Sequence, residues 1–227
     1  MKPRKTKPKT PSRKQILVVD DHPMTRYGIS QRIRAEPDLA VCAEVDGTKT
    51  ALAAVERYAP DLVLADLSLG ERSGMELIKD LHALHSKLPV LVFSMHYESL
   101  YAERALRAGA RGYIMKSEGA EKLMEAVRRV LLGEIYLSVT MRDQIVHRFA
   151  NGPTATKGNN ASALSDRELE VFELVGQGLG TRQITRRLRL ATSTVETHRS
   201  HIKEKLNLHN ATELVRAAVE WVAGRGS

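Results

Sequence analysis

The chain has 227 residues, 42% of them apolar, which allows one or two domains with real hydrophobic cores. No run of about 18 apolar residues occurs and no apolar signal-peptide core opens the chain, so neither a membrane span nor secretion is supported and a cytoplasmic protein is expected. The net charge of +8 is unevenly spread: residues 1–14 carry +7, residues 15–136 carry 15 basic and 18 acidic side chains, and residues 137–163 and 164–227 carry +2 each.

Residues 1–14 are rich in Lys, Pro and Thr without apolar periodicity. They read as a disordered basic tail, a solvated arm first and an auxiliary contact to DNA phosphates second. Ile16-Leu17-Val18-Val19 is then a short apolar run ending at Asp20-Asp21. The lone cysteine, Cys42, sits in the apolar stretch 39–43 and reads as a buried, inert thiol in a reducing compartment. Leu62-Val63-Leu64-Ala65 ends at Asp66, Val90-Leu91-Val92-Phe93 ends at Ser94, and Gly112-Tyr113-Ile114-Met115 ends at Lys116. Short apolar runs without alternation suggest strands buried on both faces of a parallel sheet. Between them, Leu77, Ile78, Leu81 and Leu84 share one helical face, and Leu123, Ala126, Val127 and Val130 share another. Ser99–Ala108 reads as a helix with Gly109 at its C′ position. Five strand–helix units over 15–136 predict a doubly wound α/β domain. Residues 137–163 hold a short amphipathic piece followed by linker chemistry, Asn151-Gly152-Pro153 through Asn160. Residues 164–227 are expected to form a second unit, in which 164–223 read as helix with short breaks.

In an open parallel sheet, ligands bind at the carboxyl ends of the strands. The strand ends gather three carboxylates (Asp20, Asp21, Asp66), the Ser94 hydroxyl and the Lys116 ammonium at one edge. Close carboxylates repel unless a cation joins them, and Mg²⁺ suits one or two carboxylates plus water and phosphate oxygens. A carboxylate can also attack phosphorus to give an acyl phosphate. Asp20-Asp21, Pro60–Leu67 with Gly74, Ser94, and Gly109–Lys116 resemble the receiver domain of bacterial response regulators. The resemblance implies a flavodoxin-like fold with a five-stranded parallel sheet. It implies that Asp66 accepts a phosphoryl group from a sensor histidine kinase. Asp21, Asp66 and the Ser68 backbone carbonyl would ligate Mg²⁺, with Asp20 assisting through water. Ser94 and Lys116 would hold the phosphoryl oxygens, and Tyr113 would move with Ser94 on activation. The chain departs from the family at Gly70, where Pro is usual, and at Ser117, where Pro often follows the lysine. His22 and His96 read as polar rim residues, and His96 could tune dephosphorylation.

Leu164-Ser165-Asp166-Arg167-Glu168-Leu169 is a helix start, with Ser165 and Glu168 as capping box and Leu164 and Leu169 as staple. Gly176, Gly178 and Gly180 end that helix. Thr181 is a candidate cap for the next, which runs to about Leu188. A turn at 189–192 leads to a third helix near 193–206, with Val195, Ile202 and Leu206 inward and Asn207 as a left-handed exit. A fourth helix carries Leu214, Val215, Ala218 and Trp221. Arg182, Arg186, Arg187, Arg189, Arg199, Lys203 and Lys205 face only Glu196 and Glu204 over 181–205, while the preceding helix carries Asp166, Glu168, Glu170 and Glu173. A tight turn between short helices suggests a helix-turn-helix, and its basic face suits phosphates. Leu164–Glu168, Gly178, Ile184, Leu188, Thr194–His198, Ile202 and Lys205-Leu206 resemble the LuxR-type DNA-binding domain, and the whole chain resembles the NarL/FixJ subfamily. The resemblance implies that the third helix enters the major groove of double-stranded DNA, with Glu196, Thr197 and Ser200 toward base edges. Thr194, His198, Arg199 and Lys203 would favour phosphates, as would Arg182, and a homodimer is expected on phosphorylation. Ala191 stands where the family usually has a capping Ser. Thr192 or Ser193 is the substitute cap, and Ser193 with Glu196 would make a second capping box.

Three competing readings fare worse. A phosphohydrolase using Asp66 commonly has a general acid two residues on, where Ser68 stands. A dinucleotide-binding module would need G-x-G-x-x-G after the first strand. A phosphorylation-independent DNA binder is disfavoured by the intact five-residue pocket. The chain is therefore expected to be a DNA-binding regulator and not an enzyme.

Overall fold

The computed structural model describes residues 13–70, 72–151 and 160–224. Residues 1–12 of the basic tail, and the linker stretch 152–159, lie outside the described residues. The first unit alternates strand and helix: β1 (Lys14–Val19), α1 (Pro23–Arg34), β2 (Leu39–Val45), α2 (Thr48–Tyr58), β3 (Leu62–Ala65), α3 (Gly74–Leu84), β4 (Val90–Ser94), α4 (Glu98–Ala108), β5 (Gly112–Met115) and α5 (Ala120–Leu131). The strands are parallel in the order β2-β1-β3-β4-β5. The order reverses at β1, so the crevice between the carboxyl ends of β1 and β3 is the binding position of this topology.

The apolar runs are explained by two helical layers. Ile16, Val18, Leu62, Leu64, Leu91 and Ile114 face one layer with α1 and α5. Their alternates Leu17, Val19, Val63, Ala65, Val90 and Val92 face the other, with α2, α3 and α4. Neither face meets water, so no polar alternation is needed.

Then follow α6 (Val139–Asn151), whose Met141 is buried, and four helices: α7 (Asp166–Gly176), α8 (Thr181–Leu188), α9 (Thr192–Lys205) and α10 (Ala211–Ala223). Leu164 and Leu169 are buried as the staple requires, and Ser165 and Glu168 close the capping box. Phe172 packs on Trp221 with ring centroids 5.3 Å apart. Asn207 takes the left-handed exit at φ 55°.

Several expectations change. Lys14 belongs to β1 rather than the tail, its ammonium 2.7 Å from Asp61. Leu84 is exposed, because it is the last residue of α3 and overshoots the core. Cys42 is half-buried rather than buried, since β2 is an edge strand. Gly180, not Thr181, is the N-cap of α8, and the Thr181 hydroxyl donates to Glu196 at 2.7 Å instead. α9 starts one residue earlier than expected, at Thr192, with Ala191 as N-cap and no side-chain cap bond. Ser193 is thus already inside the helix, and the second capping box with Glu196 does not form.

Candidate functional site

β1 delivers Asp20 and Asp21, and β3 delivers Asp66, to one crevice; all three are more than nine-tenths buried. One ligand atom each from Asp20, Asp21, His22 and Asp66 lies within 4.8 Å of the others. Lys116, at the end of β5, donates to Asp20 and to Asp66, each at 2.7 Å. Burial alone would lower the Lys116 ammonium, but Asp66 and Asp20 outweigh it and hold the group above its ordinary value. The Leu67 amide donates to Asp66 Oδ1 at 2.7 Å. Gly74 lets α3 begin against this loop, since a Cβ there would overlap the Asp66 carbonyl oxygen.

Asp21 is the least compensated carboxylate. Its Oδ1 is buried without a hydrogen bond among the described residues; His22 Nδ1 lies 2.7 Å away but outside hydrogen-bond geometry. Burial raises its carboxyl above the usual range, partly offset by His22 and by Arg189. An orphaned, buried carboxylate oxygen beside two further carboxylates is a donor set that fits a hard divalent cation. Asp20, Asp21 and Asp66 thus form an acidic cluster whose chemistry suits a metal ion.

Ser94 is fully buried at the end of β4. Its hydroxyl accepts from the His96 amide at 3.4 Å. Tyr113 is buried, and its hydroxyl donates to the His96 carbonyl at 2.9 Å. Burial, then the Asp66 charge, push this phenol well above its ordinary value, so it stays protonated. The Ser94 and Tyr113 side chains thus converge on the loop 95–97. His96 is not a rim residue. Its side chain is only 12% exposed, hydrogen-bonded to Ser68 Oγ at 3.1 Å.

The remaining partner of His96 comes from the C-terminal unit. Glu173 on α7 accepts from His96 Nδ1 at 3.0 Å and from the Tyr101 hydroxyl at 3.1 Å. Burial pulls the His96 imidazolium down, but Glu173, Glu170 and Asp66 outweigh it and leave it raised. Other contacts line the same seam. Arg104 donates to Leu164 O at 2.8 Å and to Asp166 at 3.2 Å, Lys79 donates to Asp166 at 2.8 Å, and Arg167 donates to Gly70 O at 2.6 Å. Arg189 NH2 lies 3.7 Å from Asp21 Oδ2. The helical unit is thus docked across the loops that follow β3 and β4. Sequence reasoning missed this seam. Its signal was the acidic stripe Asp166, Glu170, Glu173 at helical spacing on α7, which had read as simple charge polarisation.

On α8 and α9, Arg182, Glu196, Thr197 and Ser200 are exposed, and Thr194, His198, Arg199 and Lys203 are half-buried. Thr197 donates to Ser193 O at 2.9 Å. Burial, then Arg167, hold the His198 imidazole below its usual value. No helix among the described residues is long and apolar enough to cross a membrane.

Comparison with known proteins agrees with this architecture. Residues 16–128 match the response regulator receiver domain, and residues 162–218 match the bacterial regulatory proteins of the luxR family. The oxygen regulatory protein NreC of Staphylococcus aureus (strain bovine RF122 / ET3-1) is 34% identical over 211 residues, 91% of this chain and 97% of that one. A crystal structure of a LuxR-family two-component response regulator from Aurantimonas sp. SI85-9A1 is 31% identical, with TM-score 0.57, over 62% of this chain and all of that one. The RcsB response regulator of Salmonella typhimurium shares the fold at 18% identity and TM-score 0.64, over 92% of this chain and 98% of that one. The chain belongs to the two-component DNA-binding transcriptional response regulators that join a receiver domain to a luxR-type helix-turn-helix.

Proposed function

We propose that Asp66 is the phosphoacceptor through which a sensor histidine kinase controls this regulator. The observation that carries the reading is the Asp66 carboxylate itself. It is buried at the crevice of the sheet, held by Lys116 and the Leu67 amide, with Asp20 and Asp21 beside it. An Asp66 oxygen attacks the phosphorus of a phosphohistidine; the O–P bond forms, the N–P bond breaks, and the imidazole keeps the electron pair. Asp21, Asp66 and the Ser68 carbonyl would hold Mg²⁺, with Asp20 assisting through water, and the metal would supply charge neutralisation for the transferring group. Lys116 stays cationic and pairs with the phosphoryl oxygens. Ser94 turns its hydroxyl to them, and Tyr113 follows through their shared loop 95–97. No general acid for rapid hydrolysis stands two residues after Asp66, where Ser68 sits. The chain is therefore read as a cytoplasmic switch rather than an enzyme.

The reading face is α9. Glu196, Thr197 and Ser200 are placed for base edges, and Arg182, Thr194, Arg199 and Lys203 for phosphates. His198, whose imidazole burial and then Arg167 hold below its ordinary value, is placed as an N–H donor to a phosphate. Glu196 must first give up Thr181. Phosphorylation shifts the population away from the docked form and toward a homodimer on two half-sites of double-stranded DNA. The domain limits that serve this reading are a receiver at 15–136, a linker at 137–163 and a DNA-binding domain at 164–227, with a basic tail ahead.

The test is to expose wild type and Asp66→Asn to a small-molecule phosphodonor with Mg²⁺, then measure intact mass and DNA binding. Wild type gains one phosphoryl group at Asp66 and binds DNA more tightly, and the variant does neither. A phosphoryl group on another residue, or on none, overturns the phosphoacceptor assignment. Unchanged DNA affinity and oligomeric state overturn the switch.

A further inference from the structure

We propose that Arg189, from the turn of the helix-turn-helix, is a built-in counter-ion of the receiver's acidic pocket and competes there with the divalent cation. This rests on the magnesium reading above and adds a consequence to it: metal uptake alone, before any phosphorylation, loosens the docked DNA-binding domain.

Three buried carboxylates share the crevice, and Lys116 compensates only Asp20 and Asp66. Asp21 is left with one oxygen lacking a hydrogen bond and the other facing Arg189 at 3.7 Å. Arg189 is the cationic side chain that the DNA-binding domain brings to this pocket, among the described residues. Its position is built rather than incidental. Arg189 ends α8 in the left-handed conformation, φ 52° and ψ 39°, which points the chain into the turn. Its side chain lies along Gly70, where a Cβ would sit 3.2 Å from Arg189 Cδ. Gly70 has φ 74°, a value that proline cannot adopt. The glycine that departs from the family pattern therefore makes both the loop shape and the seat for the guanidinium. Arg167 fixes the same loop by donating to the Gly70 carbonyl.

The Asp21–Arg189 contact is an ion pair without hydrogen-bond geometry, and the Arg189 side chain is 58% exposed. Such a pair is weak, and a compact dication ligated directly by Asp21 and Asp66 would outcompete it. Competition is reciprocal: if Arg189 opposes the metal, the metal opposes docking by the same factor.

The experiment is calorimetric titration of MgCl₂ into the full-length, unphosphorylated chain at low ionic strength. It compares wild type, Arg189→Asn and Arg216→Ala. Asn keeps the left-handed position accessible, and Arg216 removes an equal charge from an exposed site of α10. Circular dichroism confirms folding of each variant. Arg189→Asn is expected to bind Mg²⁺ about three- to fivefold more tightly than wild type, with the gap closing as NaCl is added. Arg216→Ala matches wild type. In parallel, saturating MgCl₂ speeds hydrogen exchange of the α7 amides in wild type but not in Arg189→Asn. Equal magnesium affinity in wild type and Arg189→Asn overturns the counter-ion role while leaving the metal site standing. An equal gain in Arg216→Ala reduces the effect to net charge and also overturns it. Absence of Mg²⁺ uptake in all three chains overturns the metal reading itself.

Discussion

Replacing Glu173 by Ala removes a buried carboxylate that bonds two receiver side chains, His96 and Tyr101. In the docked form the substitution leaves an imidazole and a phenol facing a void. In the undocked form both find water. The cost therefore falls on docking alone. A buried polar group left without its partner costs about 1–3 kcal/mol, and bonds to a charged acceptor lie at the upper end. For two groups sharing one acceptor, docking is weakened by about 2–4 kcal/mol, at least roughly thirtyfold in the closed-to-open ratio. Two of the other seam contacts add little: Lys79 is 57% exposed and Arg189 58%, and pairs of that kind contribute about 0–1 kcal/mol each. Small-angle scattering of the unphosphorylated chain should show a larger radius of gyration for Glu173→Ala, and the α4 amides should exchange faster. Tyr101→Phe, which removes one bond of the two, should give a smaller shift of the same sign. Identical scattering and exchange for wild type and Glu173→Ala would refute the view that this carboxylate holds the domains together.

Three further outcomes follow from single residues. Gly74→Ala places a methyl against the Asp66 carbonyl, so the receiver should lose about 1–3 kcal/mol in denaturant unfolding; an unchanged midpoint would mean that α3 can shift away freely. Ser165→Ala removes the acceptor for the Glu168 amide and half of the capping box, so melting of the DNA-binding domain should fall by about 0.5–2 kcal/mol, with the receiver transition unmoved. Glu168 is buried, which raises its carboxyl, but bonds from Lys205 and Ser165 outweigh burial and leave it below the ordinary carboxyl value. A depressed carboxyl contributes stability that is complete above its unfolded value and is lost as pH falls below that value and through the lower folded one. Melting of the DNA-binding domain should therefore hold from pH 6 down to about pH 4.5 and drop below it in wild type, and drop much less in Glu168→Gln; parallel pH profiles would remove Glu168 from the account.

What could be read from the sequence was local or topological. Apolar runs ending on Asp20-Asp21, Asp66 and Ser94 identify strands buried on both faces, and the rule of strand ends then assembles the pocket without coordinates. The Ser165–Glu168 box needs only a spacing of three. Prediction faltered where a neighbour far along the chain competes for a side chain. Glu196 at cap spacing from Ser193 looked like a local partner, yet Thr181 on another helix takes it. His96, a polar residue past a strand end, looked like a rim until α7 covered it. Neither outcome has a local signature, because each depends on how two elements meet.

The docked arrangement also constrains how control of DNA binding can work. The receiver is met by α7 and by the turn after α8, through Glu173, Arg167 and Arg189. Glu196, Thr197 and Ser200 on α9 stay exposed. Docking therefore does not hide the side chains proposed to read bases. On the proposed reading it would act instead on what must approach them: the bulk of the receiver beside a duplex, and a second copy for the adjacent half-site. The loops that α7 touches are those carrying Ser68, Gly70 and His96, directly beyond Asp66 and Ser94. A charge change at Asp66 thus meets the docking seam within two or four residues of chain, with no relay through the core. On this geometry, undocking frees the domain's placement while its reading surface stays unchanged. Substitutions in the seam should accordingly raise DNA affinity without altering which sequence is preferred, whereas changes at Glu196 or Thr197 should alter preference. A seam variant with changed sequence preference, measured by competition between operators, would break this separation.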